Sequence, residues 1–438
     1  HQVSGADIQF YPPMSEYIED IGIKTIQGYK RETLPDADLY VIGNALSRGN
    51  ECVEEILDKN LPFISGPEIL GKELKGRNVF AISGTHGKTT TTSLIAAVLE
   101  KAKYDPTVIN GGIINSYNSN AKIGFSDWMV VEADESDGSF LKLPSTNVIV
   151  TNIDAEHLEF YKSFKSLKEA FKHFINNIPF YGIAVLCLDN PTIQSIKAEI
   201  EDKRVITYGI SPQADYRAQK IEYNGTRTSF TLEISPTINS PGKKIENMVS
   251  NIPGIHNVQN VLAACAMSIE LGIPIEVIKN ALLNFEGVNR RFSLINNFKG
   301  IKMFDDYGHH PVEIRASLSA ARGVSENKVV AVVQPHRYSR LKMLFNDFTT
   351  AFNDADTVFV MDVYAAGEEE IKNINKENLI RSLISAGHKD VRSYKSFEDL
   401  RNFITAYLLQ GDIVIFLGAG DITNHARKFI SFINREIA

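Results

Sequence analysis

The stretch VFAISGTHGKTTTTSLI, residues 79–95, constrains the fold most, because it joins an apolar run, a glycine-containing loop and a helix-like segment. Glycines let backbone N–H groups approach phosphate oxygens, and the N-terminus of the following helix adds positive potential. In such a loop Lys88 can bridge phosphates and the Thr89 hydroxyl can reach Mg²⁺. A chance run of Gly, Thr and Lys is the alternative. The order strand, loop, helix favours a nucleotide-binding α/β domain.

The loop is shorter than the standard nucleotide-binding pattern GxxxxGK[ST], which requires glycine at position 82. This chain has Ile82 there, and its first loop glycine is Gly84. We therefore expect a tighter variant of the phosphate-binding loop.

Length and charge exclude several classes of protein. At 438 residues the chain is too long for one core and predicts two or three domains. It has no apolar run of about 18 residues, so we expect no membrane partner. The net charge of −7 argues against nucleic-acid binding, which needs a concentrated basic face. Three scattered cysteines without a CxxC motif fit neither a disulfide framework nor a zinc site and predict a cytoplasmic protein.

The order of apolar runs predicts an α/β fold of three domains, in which a P-loop central domain is flanked by Rossmann-like N-terminal and C-terminal domains. In residues 1–74, DLYVIGNAL and LPFIS are expected strands and NECVEEILDKN an amphipathic helix. The segment HQVSGAD resembles the second strand of a Rossmann unit. We therefore expect this domain to be truncated, with its first strand and glycine loop missing.

The two larger units continue this pattern. In residues 75–292, WMVVEAD, NVIVTNID and IAVLCLD are near-continuous apolar runs typical of buried parallel strands. Between residues 205 and 249 the pattern alternates and predicts an antiparallel insertion or edge, which a helix at NVQNVLAACAMSIELG follows. In residues 293–438, IKMFDDYG, KVVAVVQP, TVFVMDV and DIVIFLGAG are expected strands of a second doubly wound sheet.

Acidic side chains follow two of the predicted central strands, where α/β sheets build their sites. Phosphoryl transfer needs carboxylates for a metal ion, and a solvated acidic turn or a structural histidine is the alternative. The candidates in VVEADESDGSF and TNIDAEHLEFY are Glu132, Asp134, Glu135, Asp137, Asp154, Glu156 and His157.

Two stretches of the third unit, DDYGHHPVE and QPHRYSRL, also follow predicted strands. The paired histidines could ligate a metal, exchange protons or cap a helix. In the second stretch His336, Arg337 and Arg340 place cations near a helix start, where an anionic group could be clamped bidentately. Each residue taken alone also has a structural explanation.

The motifs in this order resemble the Mur ligase family, ATP-dependent amide-bond ligases of peptidoglycan precursor synthesis. The resemblance covers the chain from about Arg77 and rests on GTHGKTTTT, EADESD, TNIDAEH, GIHNVQN, GVNRRF, DDYGHHPVE, QPHRYSR and VYAAGE. The short phosphate loop is the family's usual form. The last four motifs are similar to those of members that join L-alanine to the carboxylate of UDP-N-acetylmuramate through an acyl phosphate, with ATP and Mg²⁺.

The resemblance implies a role for each matching position. The positions implied for ATP are Gly84, Thr85, His86, Gly87, Lys88, Thr89, Thr90, Asn257, Asn260, Arg291 and Asp306. Those implied for the metal are Thr89, Glu132 and His157. Those implied for the two substrates are Ser4, Asp7, Tyr307, His309, His336, Arg337 and Arg340, and the catalytic ones are Lys88, His309 and Arg337.

The first seventy or so residues depart from this match. Segments such as VSGADIQFYPPMS look more like the relative that attaches an intact murein tripeptide to UDP-N-acetylmuramate for recycling. That ligase is the first alternative function. A nucleotide-binding protein that has lost sugar binding is the second. We expect a monomer or a weak dimer.

Overall fold

The structure, a computed structural model, describes residues 1–8, 10, 14–44, 46–236 and 241–435. Within these ranges no helix is both long enough and apolar enough to cross a membrane. The segment VSGADIQFYPPMS lies partly outside the described residues, at positions 9 and 11–13.

The N-terminal unit has short strands in two separate parallel pairs, β1 with β2 and β3 with β4. Its strands and α-helices are β1 Ser4–Asp7, α1 Met14–Asp20, β2 Lys24–Gln27, β3 Tyr40–Ile42, α2 Glu51–Asp58, β4 Phe63–Ser65 and α3 Gly66–Leu74. The strands predicted at DLYVIGNAL and LPFIS and the helix between them are confirmed. Asn50 caps α2 because its side chain accepts hydrogen bonds from the Cys52 and Val53 N–H groups.

The central unit is built on a ten-stranded sheet with the order β14-β13-β12-β11-β10-β9-β5-β8-β6-β7. Its first half contains β5 Asn78–Ser83, α4 Lys88–Lys101, β6 Thr107–Ile114, β7 Ser119–Lys122, β8 Trp128–Glu132, β9 Asn147–Val150, α5 Leu158–Tyr161 and α6 Phe164–Asn176. Its second half contains β10 Ile183–Cys187, α7 Pro191–Lys197, β11 Arg204–Gly209, β12 Tyr216–Asn224, β13 Arg227–Ile234, β14 Lys243–Ser250, α8 Ile255–Glu270 and α9 Ile275–Leu283.

The expected antiparallel insertion is correct for β12, β13 and β14, which pair antiparallel. It is wrong for β11, which lies in parallel beside β10 and also pairs in parallel with β12. The physical reason is burial: the end of β11, including Tyr208, is covered on both faces and continues the parallel core. The change of pattern therefore begins one strand later than predicted.

The C-terminal unit is a doubly wound sheet with the order β15-β16-β20-β17-β18-β19, in which β15 is antiparallel to β16 and the other neighbouring strands are parallel. Apolar clusters on both of its faces are covered by helices. Its elements are β15 Ser293–Phe298, β16 Ile301–Asp306, α10 Pro311–Val324, β17 Val329–Val333, α11 Tyr338–Met343, α12 Phe345–Phe348, β18 Thr357–Val360, α13 Lys376–Ser385, β19 Val391–Ser393, α14 Phe397–Tyr407, β20 Ile413–Leu417 and α15 Ile422–Arg435.

The sheet register brings the motifs together. Strand β5 lies between β8 and β9, so Ile82 pairs with Glu132 and Ser83 with Val150. The loops that leave these strands therefore share one edge of the sheet. The predicted three-domain α/β architecture, with a P-loop unit in the middle, is confirmed.

Candidate active site

Two glycines let the phosphate loop pass close to its neighbours. Gly84 has φ of 134°, and a Cβ there would lie 2.1 Å from the Thr151 Oγ1. Gly87 has φ of 83°, and its Cβ would lie 2.5 Å from the Asn260 Oδ1. Both conformations are costly for residues with a side chain, and both contacts are closer than a carbon atom tolerates. The loop is therefore compatible only with glycine at these two positions.

Lys88 opens α4 and points back into the loop. Its Nζ donates to the carbonyl oxygens of Gly84 at 2.7 Å and Thr85 at 3.3 Å, and to Glu135 Oε2 at 2.7 Å. The side chain of Glu135 is only 1% exposed. Burial alone would lower the pKa of Lys88, but nearby carboxylates, Glu135 first, outweigh burial and raise it. The ammonium is thus a fixed positive charge beside the loop.

Thr89 and Glu132 form the second polar contact of the loop. The Thr89 hydroxyl donates to Glu132 Oε1 at 3.1 Å, and the backbone N–H of Gly111 donates to Oε2 at 2.7 Å. Arg291, from the segment that leads into the C-terminal unit, donates to the Thr89 Oγ1 at 3.4 Å. Burial raises the pKa of Glu132. A carboxylate held in this way beside a phosphate loop is suited to a cation.

His157 lies close to the buried carboxylate of Glu135. Its Nε2 is 3.9 Å from Glu135 Oε1, a buried oxygen for which the described residues provide no hydrogen-bond donor. No cluster of three or more His, Cys, Asp or Glu side chains in the described ranges could hold a metal ion unaided. Mg²⁺ in nucleotide sites takes one or two carboxylates and completes its shell with phosphates and water. The Glu132 carboxylate beside the Thr89 hydroxyl fits that requirement, whereas imidazole is a poor ligand for this ion.

A cavity of about 260 Å³ separates the central and C-terminal units beside the phosphate loop. Residues predicted for ATP from four distant segments line it, namely His86, Gly87, Thr90, Asn257, Asn260, Arg291 and Asp306. The structure therefore brings these positions to one site. Gly84, Thr85, Lys88 and Thr89 belong to the loop at its edge.

Asp306 and the two asparagines are held by internal hydrogen bonds. Asp306 accepts from the N–H groups of Phe292 at 2.7 Å and Gly308 at 2.8 Å and from the Ser317 hydroxyl at 2.9 Å. Burial raises its pKa. Asn260 accepts from Thr91 and donates to Asn257, which fixes both amides against α4.

Some cavity residues were missed in the sequence. Asp189, at the end of β10, accepts hydrogen bonds from two backbone N–H groups and from Gln259. Asp189 could have been found in the sequence, because it follows an apolar run typical of a buried parallel strand, as Glu132 does. Asn152 follows β9, and its side-chain oxygen accepts a hydrogen bond from the backbone N–H of His86 in the phosphate loop. The sequence alone gives no sign of that contact.

The predicted amino-acid residues cluster at the edge of the C-terminal sheet. The ring of His309 lies 5.5 Å from that of Tyr307 and 5.9 Å from that of His336, and His336 stacks on Tyr364 at 5.4 Å. Burial lowers the pKa of His309 to about 3 and that of His336 to about 4. Both rings are therefore neutral near pH 7.

The two arginines of QPHRYSRL have different surroundings. Arg340 contacts His336 Nδ1 at 3.2 Å and Glu156 Oε1, in the central unit, at 3.4 Å. Arg337 is exposed and has φ of 67°, a strained value for a residue with a side chain. The guanidinium groups of Arg290 and Arg291 lie 4.8 and 5.2 Å from the centre of the Tyr307 ring.

Ser4 and Asp7 lie apart from this cluster. Both are exposed on β1, and Asp7 accepts hydrogen bonds from the Tyr29 hydroxyl and from the backbone of Ile8. Neither residue lines the cavity. The N-terminal unit does reach the acidic stretch after β8, where the Asn44 amide donates to Asp137.

The chain is similar along nearly its whole length to bacterial proteins named UDP-N-acetylmuramate–L-alanine ligase. The one from Agrobacterium fabrum (strain C58) is 46% identical over 426 residues, which cover 97% of this chain and 90% of that protein. The one from Rhizobium meliloti (strain 1021) is 48% identical over 423 residues, with 97% and 90% covered.

Solved structures agree in fold. A UDP-N-acetylmuramate-alanine ligase from Thermotoga maritima is 28% identical and has a TM-score of 0.83. The match covers 99% of this chain and 94% of that protein's chain. A murein peptide ligase from Psychrobacter arcticus is 24% identical, with 98% and 93% covered and a TM-score of 0.68, and shows the shared fold alone.

Three family descriptions match consecutive parts of the chain. Residues 1–78 match the Mur ligase family catalytic domain, residues 82–268 the Mur ligase middle domain, and residues 290–420 the Mur ligase glutamate ligase domain. Together with the relatives, these matches confirm the resemblance found in the motifs. The chain belongs to the Mur ligase family.

Proposed function

We propose that this protein joins L-alanine to the carboxylate of UDP-N-acetylmuramate, with conversion of ATP to ADP and phosphate, in the cytoplasmic synthesis of peptidoglycan precursors. The observation that carries the proposal is a contact between the two units beside the cavity, where Glu313 of the C-terminal unit lies 3.2 Å from His86 of the phosphate loop and accepts a hydrogen bond from the backbone N–H of His309. Relatives of that name at 46% and 48% identity support the choice of substrates.

In the first step an oxygen of the sugar carboxylate attacks the γ-phosphorus of ATP, and the bond to ADP breaks. Lys88 provides fixed positive charge where negative charge spreads over the transferring group. Glu132 and Thr89 would hold Mg²⁺, which neutralises phosphate charge when bound. The backbone N–H groups of the short loop bind the remaining oxygens, and Asn257 and Asn260 border the nucleotide cavity.

In the second step the neutral amine of alanine attacks the acyl carbon and a C–N bond forms. The C–O bond to phosphate breaks, so phosphate leaves with the former carboxylate oxygen, and the nitrogen releases a proton to solvent. The neutral ring of His309 can hold the amine by a hydrogen bond without repelling it. Because Arg340 is shared between His336 and Glu156, Arg337 is the freer cation for the alanine carboxylate. Correct placement of the two reactants supplies much of the rate acceleration.

The experiment compares the two amines directly. Phosphate release is measured with ATP, Mg²⁺ and UDP-N-acetylmuramate, with either L-alanine or the murein tripeptide added. We expect saturable stimulation by L-alanine, because the closely spaced rings of Tyr307, His309 and His336 favour a small amine over a peptide. Preference for the tripeptide would replace this proposal with the recycling reaction, and no stimulation by either amine would favour a nucleotide-binding protein without ligase activity.

A further inference from the structure

Glu313, near the start of α10, contacts both the N-terminus of its own helix and the phosphate loop. Its Oε2 accepts hydrogen bonds from the backbone N–H groups of His309 at 3.1 Å and His310 at 3.2 Å, which caps the helix. Its Oε1 lies 3.2 Å from Nδ1 of His86 in the phosphate loop. One carboxylate thus contacts both the segment that carries His309 and the loop that carries Lys88.

The backbone of His86 is held in the phosphate loop, and its side chain is largely buried. Its backbone N–H donates to the Asn152 Oδ1 at 2.8 Å, and its carbonyl accepts from the Thr151 hydroxyl at 2.6 Å. The imidazole is 12% exposed and lies 5.1 Å from the ring of His310. Glu313 therefore contacts a buried side chain whose backbone is anchored in the loop.

The charges reinforce this contact. Burial alone would lower the pKa of His86, but Glu313 raises it. Burial alone would raise the pKa of Glu313, but His309 and His86 hold it well below its usual value. Each group therefore favours the charged form of the other, and a hydrogen bond between ionised partners is stronger than one between neutral partners.

We propose that Glu313 and His86 are positioning residues that align the phosphate loop of the central unit with the amine-binding segment of the C-terminal unit. The inference rests on the proposed function, because alignment matters only if the phosphorylated carboxylate must meet an amine held by the other unit. In this arrangement the pair contributes to turnover more than to nucleotide affinity. A misplacement of about 1 Å is sufficient to lower a rate about 100-fold.

The test is a double-mutant cycle with Glu313→Gln and His86→Ala. Glutamine at this helix position can keep the cap, so Glu313→Gln removes the charged interaction and spares α10. We expect each variant to lower kcat for L-alanine-dependent phosphate release about 10- to 100-fold, with the ATP KM changed less than about threefold. Because the two residues act through each other, the double variant should lose about as much kcat as the more impaired single variant, rather than the product of the two losses.

The matched control is Glu68→Gln. Glu68 also belongs to a helix capping box, at Ser65, and also bridges two units through Lys142 at 3.1 Å, but it lies away from the phosphate loop. Its kcat should stay within about twofold of the parent value. If Glu313→Gln does not fold, the kcat and the ATP KM of His86→Ala test the inference without it, because His86 lies outside α10.

Three results would overturn the inference: unchanged kcat in both single variants, multiplicative losses in the double variant, or a rise in the ATP KM without a loss of kcat. The last would mean that His86 binds the nucleotide directly. Absence of L-alanine-dependent turnover in the parent protein would refute the proposed function as well, so the two failures are distinguishable.

Discussion

Replacement of Lys88 by methionine should separate its structural contribution from its catalytic one. The Glu135 side chain is 1% exposed and its Oε2 pairs with Lys88, whereas its Oε1 has no hydrogen-bond partner in the part of the chain that the structure describes. Removal of one member of a buried ion pair costs about 3–5 kcal/mol. For a domain of about 200 residues this corresponds to a fall of roughly 10 °C in the melting temperature.

The same substitution should lower the rate of ATP turnover by at least about 100-fold, because an oriented charge on the transferring phosphoryl group is lost. Thermal unfolding of the ligand-free protein and steady-state phosphate release measure the two effects. The double variant Lys88→Met/Glu135→Gln removes both charges, so most of the stability should return while turnover stays low. Recovery of turnover in the double variant, or turnover within tenfold of the parent in Lys88→Met, would refute the assignment.

The remaining predictions concern the metal, the amine and acid stability. Glu132→Gln should raise the Mg²⁺ concentration needed for half-maximal activity, and an unchanged Mg²⁺ dependence would place the site elsewhere. Arg337→Ala should raise the KM for L-alanine far more than the KM for ATP, and equal rises in the two would contradict a carboxylate clamp. Burial lowers the pKa of His256 from 6.5 to about 4, so the unfolded chain binds this proton more readily between those values. Stability should therefore fall by about 3 kcal/mol as the pH drops through that window, and His256→Gln should reduce the loss in acid denaturation curves.

The fold could be predicted from local pattern because buried parallel strands are apolar along their whole length. The residues of β9 and β10 and the end of β5 are buried on both faces, and each was recognisable as an uninterrupted apolar run. Strand β11 was misassigned because its first residues are polar or half-exposed, and its parallel pairing depends on the sheet beside it. The hydrophobic pattern of a segment indicates how far a strand is buried, but it does not show which neighbouring strand it pairs with.

The site could be predicted as a set of residues but not as a set of contacts. The strand ends that carry Glu132 and the phosphate loop follow from topology alone. In contrast, Lys88 selects Glu135 among several acidic neighbours, and Arg340 pairs with Glu156 across 184 positions of sequence. Such choices depend on how loops from different units approach each other, and no spacing in the sequence encodes that distance.

Transfer of oxygen from the sugar carboxylate to phosphate tests the central claim most directly. UDP-N-acetylmuramate labelled with ¹⁸O in both carboxylate oxygens is incubated with ATP, Mg²⁺, L-alanine and the protein, and the released phosphate is analysed by mass spectrometry. If the carboxylate is phosphorylated and then attacked by alanine, each phosphate released must carry one ¹⁸O and each amide formed must retain the other. Unlabelled phosphate, released whether or not L-alanine is present, would show that the chain only hydrolyses ATP and would contradict the proposed ligation.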